Sequence, residues 1–336
     1  MLEAPLLVPI GIAILIVLAI DLFRTVAQSS EGRLARITQA SVQKILIFLY
    51  KITGRRAFLS WTSSMLILGL LTMWIALLYL GWFLIYLSSD ESILRGKDEV
   101  PATVAEKLYF TGFSISTLGV GDYIPNGAVW QMVTVLCSVS GFFLLTFIIS
   151  FIVSVIEKQA LRRRLALHIH YLGESPQAII TKYWQPHENV VLDHALDSIL
   201  DDLIEFAQQQ LDQPILNRFH GPSKGRSIER ALVVIDETLT MAIFAVDSDL
   251  PPASVQAQQA ITDYLDSLQE IKIADVATAP PIPDFTPLRE ADIPLYDDDV
   301  IQSHYERLTA RREKLQALIQ STGWTWHEII IRRGEA

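Results

Sequence analysis

The hexapeptide Thr117-Leu118-Gly119-Val120-Gly121-Asp122 is the stretch whose residue types and spacing point most directly to a chemistry. Glycine enters the left-handed backbone region without the Cβ clash that deters other residues. Alternating such residues with ordinary ones turns successive carbonyls to the same side. Four copies around an axis would stack these oxygens into rings that replace the water shell of a dehydrated cation, with the Thr117 hydroxyl as the innermost ring. Asp122 stands at the outer mouth, as one member of a carboxylate ring, as a turn residue before Tyr123-Ile124-Pro125-Asn126-Gly127, or as both.

Other chemistry is poorly supported. The single cysteine, Cys137, lies in an apolar run, so neither a disulfide framework nor a CxxC metal site is expected. No Ser/His/Asp or Cys/His set stands out, and an enzyme is not expected. Gly221 to Ser227 has the wrong spacing for a P-loop and reads as a loop and helix start. Asp193, His194, Asp197, Asp201, Asp202 and Glu205 crowd one helix, which favours a solvated face over a divalent-cation site. His168 and His170 are two lone histidines and establish nothing.

The elements that must position the hexapeptide are read from hydropathy and charge. The chain has 336 residues, 51% hydrophobic and 19% charged, a balance skewed toward a membrane protein. Its net charge of −10 comes mainly from the C-terminal half and argues against nucleic-acid binding. Leu6 to Phe23 is an apolar run long enough, barely, to cross a bilayer, and it lacks the basic flank and cleavage site of a signal peptide. Asp21 near its inner end is expected to pair with Arg24, one turn on. Between Arg24 and Ser60 lie seven bases and one acid, Glu31, which makes this segment cytoplasmic and the N-terminus external. Within it, apolar residues from Leu34 to Ile52 recur at helical spacing. Two readings stay open, an amphipathic helix on the inner membrane surface and a helix packed on the cytosolic domain.

Ala57 to Ser89 carries no charge and is a transmembrane helix, with Trp61 and Tyr86 as interface anchors. After a charged turret from Asp90 to Glu99, Pro101 to Ser116 is too short and too polar to span. Pro101 suits its start, and Thr103 with Glu106 has capping-box spacing. This helix would aim its negative dipole end at the pore centre. Tyr109 and Phe110 supply its aromatic packing, and Ser114 and Ser116 either hydrogen-bond behind the filter or satisfy local backbone. Tyr123 to Ile156 is again charge-free and contains the third transmembrane helix, from about Val129, with Arg162, Arg163 and Arg164 as cytoplasmic flanks. The basic flanks put the 89–129 loop outside. The hexapeptide demands the same, because non-helical backbone at membrane depth is tolerated where it lines a cavity or is buried in protein.

At the hexapeptide the chain resembles the tetrameric potassium-channel superfamily, whose filter reads Thr-Val-Gly-Tyr-Gly-Asp. The resemblance covers roughly Trp61 to Ile156: outer helix, pore helix, filter and inner helix. Two positions depart. Leu118 changes little, because the carbonyl is the ligand. Val120 replaces the aromatic that in the family packs sideways against the pore helix and braces the filter. The resemblance implies a potassium-selective channel subunit working as a homotetramer. Ions would bind at Thr117, Leu118, Gly119, Val120 and Gly121, with no cofactor and no metal beyond the permeant potassium. It also implies an inner-helix hinge at Gly141, twenty positions after Gly121, for which close helix packing is the competing reading. Phe142, Leu145, Ile149 and Val153 match the family's pore-lining face. Thr146 lies on an adjacent polar stripe with Ser138, Ser150 and Ser154.

From Leu165 onward the chain reads as soluble, acidic and helical, with amphipathic stretches at 190–211, 227–246, 255–271 and 300–320 and a Pro-rich strap from Ala279 to Leu295. Asp297-Asp298-Asp299 reads as an acidic helix start. Neither a GxGxxG turn after a strand nor a strand-rich β-roll is present to suggest a nucleotide regulator. The expected fold class is an all-α membrane protein, with three transmembrane helices, a pore helix and a re-entrant filter, followed by a helical cytosolic domain. The expected boundaries are 1–27 for an N-terminal transmembrane helix, 28–58 for a cytoplasmic amphipathic linker, 59–157 for the pore domain and 158–336 for a regulatory or assembly domain. The expected partners are other copies of the chain and membrane lipid, in an inner (plasma) membrane. The alternatives are a weakly selective cation channel and a non-conducting, membrane-anchored signalling or scaffold protein.

Overall fold

This computed structural model describes residues 6–28, 32–53, 62–185, 190–212, 215–216, 219, 221, 223–246, 252–268 and 278–329. The chain folds as two compact units, Met1–Val155 and Ile156–Ala336. It is an all-α membrane protein. Three helices are long and apolar enough to cross a bilayer: α1 (Leu7–Ala27), α3 (Thr62–Leu87) and α5 (Gly127–Leu172). At 1.5 Å per residue α5 is about 70 Å long, more than twice a hydrocarbon core of about 30 Å, so much of it must lie outside the membrane. The helix therefore does not stop where the apolar run stops at Ile156.

In the first unit, α1 packs along α3. Their crossing is set by two glycines: a Cβ on Gly11 would sit 2.6 Å from the Gly81 carbonyl oxygen, and one on Gly81 2.7 Å from Leu15. Small residues let apolar helices approach closely where lipid gives no hydrophobic drive to associate. The amphipathic segment forms α2 (Arg33–Thr53), which lays Ala35, Gln39 and Leu46 inward and meets α3 where Val42 faces Gly69. It leaves Ile37, Ile45, Phe48 and Ile52 exposed.

Asp21 does not follow the expected i,i+3 pairing. It is buried, and its Oδ1 accepts hydrogen bonds from the backbone N–H groups of Leu34 (2.9 Å) and Ala35 (3.4 Å). Its Oδ2 accepts one from the Trp74 indole (3.1 Å). A carboxylate at a helix N-terminus satisfies orphan donors and meets the positive dipole end, so Asp21 fixes the start of α2 to α1 and α3. Tyr86 is also no interface anchor. It is fully buried, edge-on to Phe110 (5.2 Å between centroids), with its hydroxyl on Thr134 (3.2 Å). Trp61, the other expected anchor, lies outside the described residues.

The segment between α3 and α5 contains two short strands that hydropathy did not suggest. β1 (Ile93–Arg95) and β2 (Tyr123–Pro125) pair antiparallel, Leu94 opposite Ile124. Pro101 bridges to Leu94 rather than starting a helix. The helix before the hexapeptide, α4 (Val104–Ile115), starts after the Thr103 cap, and the capping box with Glu106 is complete.

The second unit begins with the end of α5 and continues through α6 (Pro176–Tyr183), α7 (Val190–Asp212), α8 (Ile228–Phe244) and α9 (Pro252–Ser267). An extended strap from 278 to 285 leads to α10 (Thr286–Glu290), α11 (Asp298–Arg307) and α12 (Thr309–Ser321). The segment from Val300 to Gln320 is thus two helices, broken at Leu308. α8 is the centre of the unit, buried at every position from Ile228 to Ala242 and preceded by Ser227 as N-cap. A helix buried all round cannot avoid burying its charges, and each of the four on α8 has a partner. Glu229 binds Arg162 (2.9 Å), and Arg230 donates to the Glu174 and Glu328 carbonyls. Asp236 pairs with Arg311, and Glu237 with Arg312 (2.8 Å).

Two of the three expected membrane-flanking arginines therefore serve the second unit. Arg162 is buried, donating also to Gln210 (2.6 Å) and the Phe219 carbonyl (3.3 Å), and Arg164 pairs with Asp202. Among the described residues no group of three or more His, Cys, Asp or Glu side chains could hold a metal ion.

Candidate functional site

The hexapeptide hangs from the C-terminal end of α4. Ser116 N–H donates to the Gly112 carbonyl (3.0 Å), Thr117 N–H to Ser114 (3.2 Å) and Leu118 N–H to Phe113 (2.9 Å). These bonds use up the last carbonyls of the helix and turn the chain out of it. From there the backbone alternates. Thr117 (φ 57°), Gly119 (φ 58°) and Gly121 (φ 84°) are left-handed, and the residues between them are not. Thr117 is the notable member, because a β-branched residue at positive φ is a genuine outlier. Strain of this kind is retained where the surrounding structure enforces it, typically at functional sites. Its hydroxyl donates to the Ser116 carbonyl (2.7 Å). Residues 116–122 are all exposed in the single chain, and a Cβ on Gly119 or Gly121 would meet nothing within 4 Å.

The outer end of the loop is tied down by β1, β2 and α4. Gly96 N–H donates to the Asp122 carbonyl (2.8 Å), while the Asp122 side chain is exposed. Tyr123 stacks edge-on to Tyr109 (5.9 Å). Glu106 binds Arg95 (3.0 Å). Hydrogen bonds from the Thr103 backbone and hydroxyl hold the Glu106 carboxyl down, at about 2, so it is charged throughout the neutral range. Lys107, which nothing in the pattern singled out, is buried, and its ammonium donates to the carbonyls of Tyr86 and Ser89 at the end of α3. A cation there satisfies the helix's last acceptors and its negative dipole end.

On its inner side the loop leans on α5. The Ser138 hydroxyl donates to the Ser114 carbonyl (3.0 Å), and Ser116 bonds the local Phe113 carbonyl (3.1 Å). A Cβ on Gly141 would lie 2.1 Å from the Ile115 carbonyl oxygen, so the absent side chain is what lets α5 reach the root of the hexapeptide. Gly141→Ala is expected to destabilise the pore fold by about 1–3 kcal/mol, the usual cost of overpacking. Thermal unfolding of the purified protein, followed by size-exclusion retention, would check it; an unchanged midpoint would contradict it.

Gly141 belongs to a seam at three- and four-residue spacing, Cys137, Gly141, Leu144, Ile148, Phe151 and Val155, all buried. Phe151 meets Trp74 of α3 edge-on (5.5 Å), and the Trp82 indole of α3 donates to Ser140 (2.8 Å). The face away from this seam carries Phe142, Leu145, Thr146, Ile149 and Val153, all exposed. The expected lining residues thus share one uncovered face, and Thr146 is on it.

A loop with alternating left-handed residues, rooted at a short helix between two helices apolar enough to span, has a counterpart among known families. Residues 71–158 match the family model described as "Ion channel". This segment is similar to the domain that this family shares. The chain is also 29% identical over 280 residues, 82% of each chain, to the uncharacterized membrane protein YdjJ of Bacillus subtilis (strain 168). No solved structure matches. The matched residues run from the middle of α3 through α4 and the hexapeptide to Lys158 of α5, so the matched segment contains the hexapeptide and its supporting seam. The second unit lies almost wholly beyond it.

Proposed function

We propose that the chain is one subunit of a homotetrameric, potassium-selective channel. The observation that carries the reading is the alternation of left-handed residues at Thr117, Gly119 and Gly121. That backbone sends the carbonyls of successive residues to one side, and four such loops supply stacked oxygen rings for a dehydrated cation. One loop gives a quarter of each ring, in keeping with the exposure of 116–122 in a single copy. Potassium would bind at Thr117, Leu118, Gly119, Val120 and Gly121, with Asp122 concentrating cations outside. Phe142, Leu145, Thr146, Ile149 and Val153 would line the inner path, narrowing at Ile149 and Val153, and Gly141 would let α5 bend. No cofactor is required. The seven bases between Arg24 and Ser60 support an external N-terminus and a cytoplasmic second unit, which would bias opening or hold the tetramer.

A weakly selective cation channel is the second reading. It is favoured by Val120, 49% exposed, where an aromatic would brace the filter. The test is flux through purified protein in liposomes under separate potassium and sodium gradients, with reversal potentials measured under bi-ionic conditions. Potassium permeability well above that of sodium is expected. Equal permeabilities would favour the second reading, and Val120→Tyr would then be the first change to make.

A further inference from the structure

We infer that the groove between α1, α3 and α5 binds an anionic phospholipid from the leaflet on the side of the basic 24–56 segment. The groove has a volume of about 680 Å³ and lies wholly within the first unit. Its walls are apolar, formed by Leu15 and Leu22 of α1 and Phe143 and Phe147 of α5, and Arg24 and Gln28 stand at one end. From Leu15 to Gln28 helix α1 and its cap advance by about 20 Å, against a hydrocarbon core of about 30 Å. The groove therefore runs from near mid-depth to the polar boundary, the path of one acyl chain.

The polar groups decide the class of ligand. At the deep end, the Trp82 indole donates to the Ser140 hydroxyl (2.8 Å), which donates in turn to the Cys137 carbonyl (2.7 Å), so neither asks for a polar ligand atom. At the boundary, Arg24 is exposed and presents a planar fork of donors that matches phosphate oxygens. Apolar along its length and cationic at its mouth, the groove complements a lipid tail with a negative headgroup. A zwitterionic lipid offers the same tail but no net charge. This site is separate from the conduction path and does not depend on it.

Native mass spectrometry of the full-length protein, released from nanodiscs of mixed phosphatidylglycerol and phosphatidylcholine, reads the bound lipid directly. Retained phosphatidylglycerol in excess of phosphatidylcholine is expected. Arg24→Gln should lower that retention about fivefold, the worth of one arginine at an anionic surface. Ala19→Trp, at an exposed position lining the groove, should displace the lipid without opening a cavity. Size-exclusion profiles matching the wild type would show that both variants fold. Equal retention of the two lipids, or phosphatidylglycerol retention unchanged in both variants, would overturn the assignment. So would a lipid-free wild type in which Leu22→Cys cross-links between copies, since the groove would then belong to a second copy.

Discussion

Gly119→Ala is expected to reduce potassium flux into liposomes to the leak of protein-free vesicles. The added methyl has room, since a Cβ there meets nothing within 4 Å. The cost is conformational. Gly119 sits at φ 58°, and an L-residue in the left-handed region costs about 1–2 kcal/mol. In the proposed filter of four loops the cost would be paid four times at one ion site, about 4–8 kcal/mol in all. At 1.4 kcal/mol per tenfold, that is roughly three to six orders of magnitude in the population of the conducting geometry. Gly127→Ala is the matched control. Gly127 is at φ 74°, also with nothing within 4 Å of its Cβ, but it lies at the turn into α5, outside the rings. It should keep most of the flux. Equal flux in wild type and Gly119→Ala would remove the filter from the mechanism and favour the scaffold reading of the chain.

What could be read in the sequence was what rests on local chemistry. Alternating glycines report a backbone need at their own positions, so Gly119 and Gly121 pointed to left-handed residues before any neighbour was known. Thr117 did not, because threonine ordinarily avoids that region, and its φ goes with the bonds that the Thr117 and Leu118 N–H groups donate to the Ser114 and Phe113 carbonyls. Apolar runs long enough to span gave the three membrane helices for the same local reason. Partnerships across sequence distance were not legible. Asp21 has Arg24 one turn away, but it is claimed by Leu34 and Trp74, 13 and 53 positions on. Arg162 has the spacing of a membrane flank and the burial of a core residue, because Glu229 on the all-buried α8 needs a cation. Nothing local marked Lys107, yet it closes the end of α3. At Gly141 the residue type was informative and its use was not. Hinge and close packing both call for glycine, and the 2.1 Å approach to Ile115 is what the structure asks of it.

Arg312→Met should destabilise the second unit by about 3–5 kcal/mol, the range for breaking one side of a buried ion pair. Arg312 is buried. Its Nε donates to Glu237 (2.8 Å), and its two terminal nitrogens to the carbonyls of Pro280 and Pro281 (2.9 Å each). Its guanidinium also lies over the rings of Tyr305 (4.9 Å) and Trp326 (5.6 Å). One side chain thus pins the strap, α8, α11 and the C-terminal turn together. Removing it strands the Glu237 carboxyl and frees two strap carbonyls. Adding Glu237→Leu should recover the part due to the stranded charge and leave that due to Pro280 and Pro281, about 1–3 kcal/mol for each unpaired group. Hydrogen exchange across 278–285 in the full chain would register the loosened strap, and unchanged protection would exclude the pinning role.

The same pair predicts a pH dependence. Burial raises the Glu237 carboxyl from 4.5 to about 7, outweighing the pull of Arg312. The folded state therefore holds a proton that the unfolded state has released. The stability this contributes is complete below 4.5, declines as pH rises through that window and is gone above about 7. Glu237→Gln mimics the protonated form at every pH. Relative to it, the wild type should lose up to about 3 kcal/mol between pH 5 and pH 8. A constant difference across that range would mean that Arg312 keeps Glu237 ionised throughout.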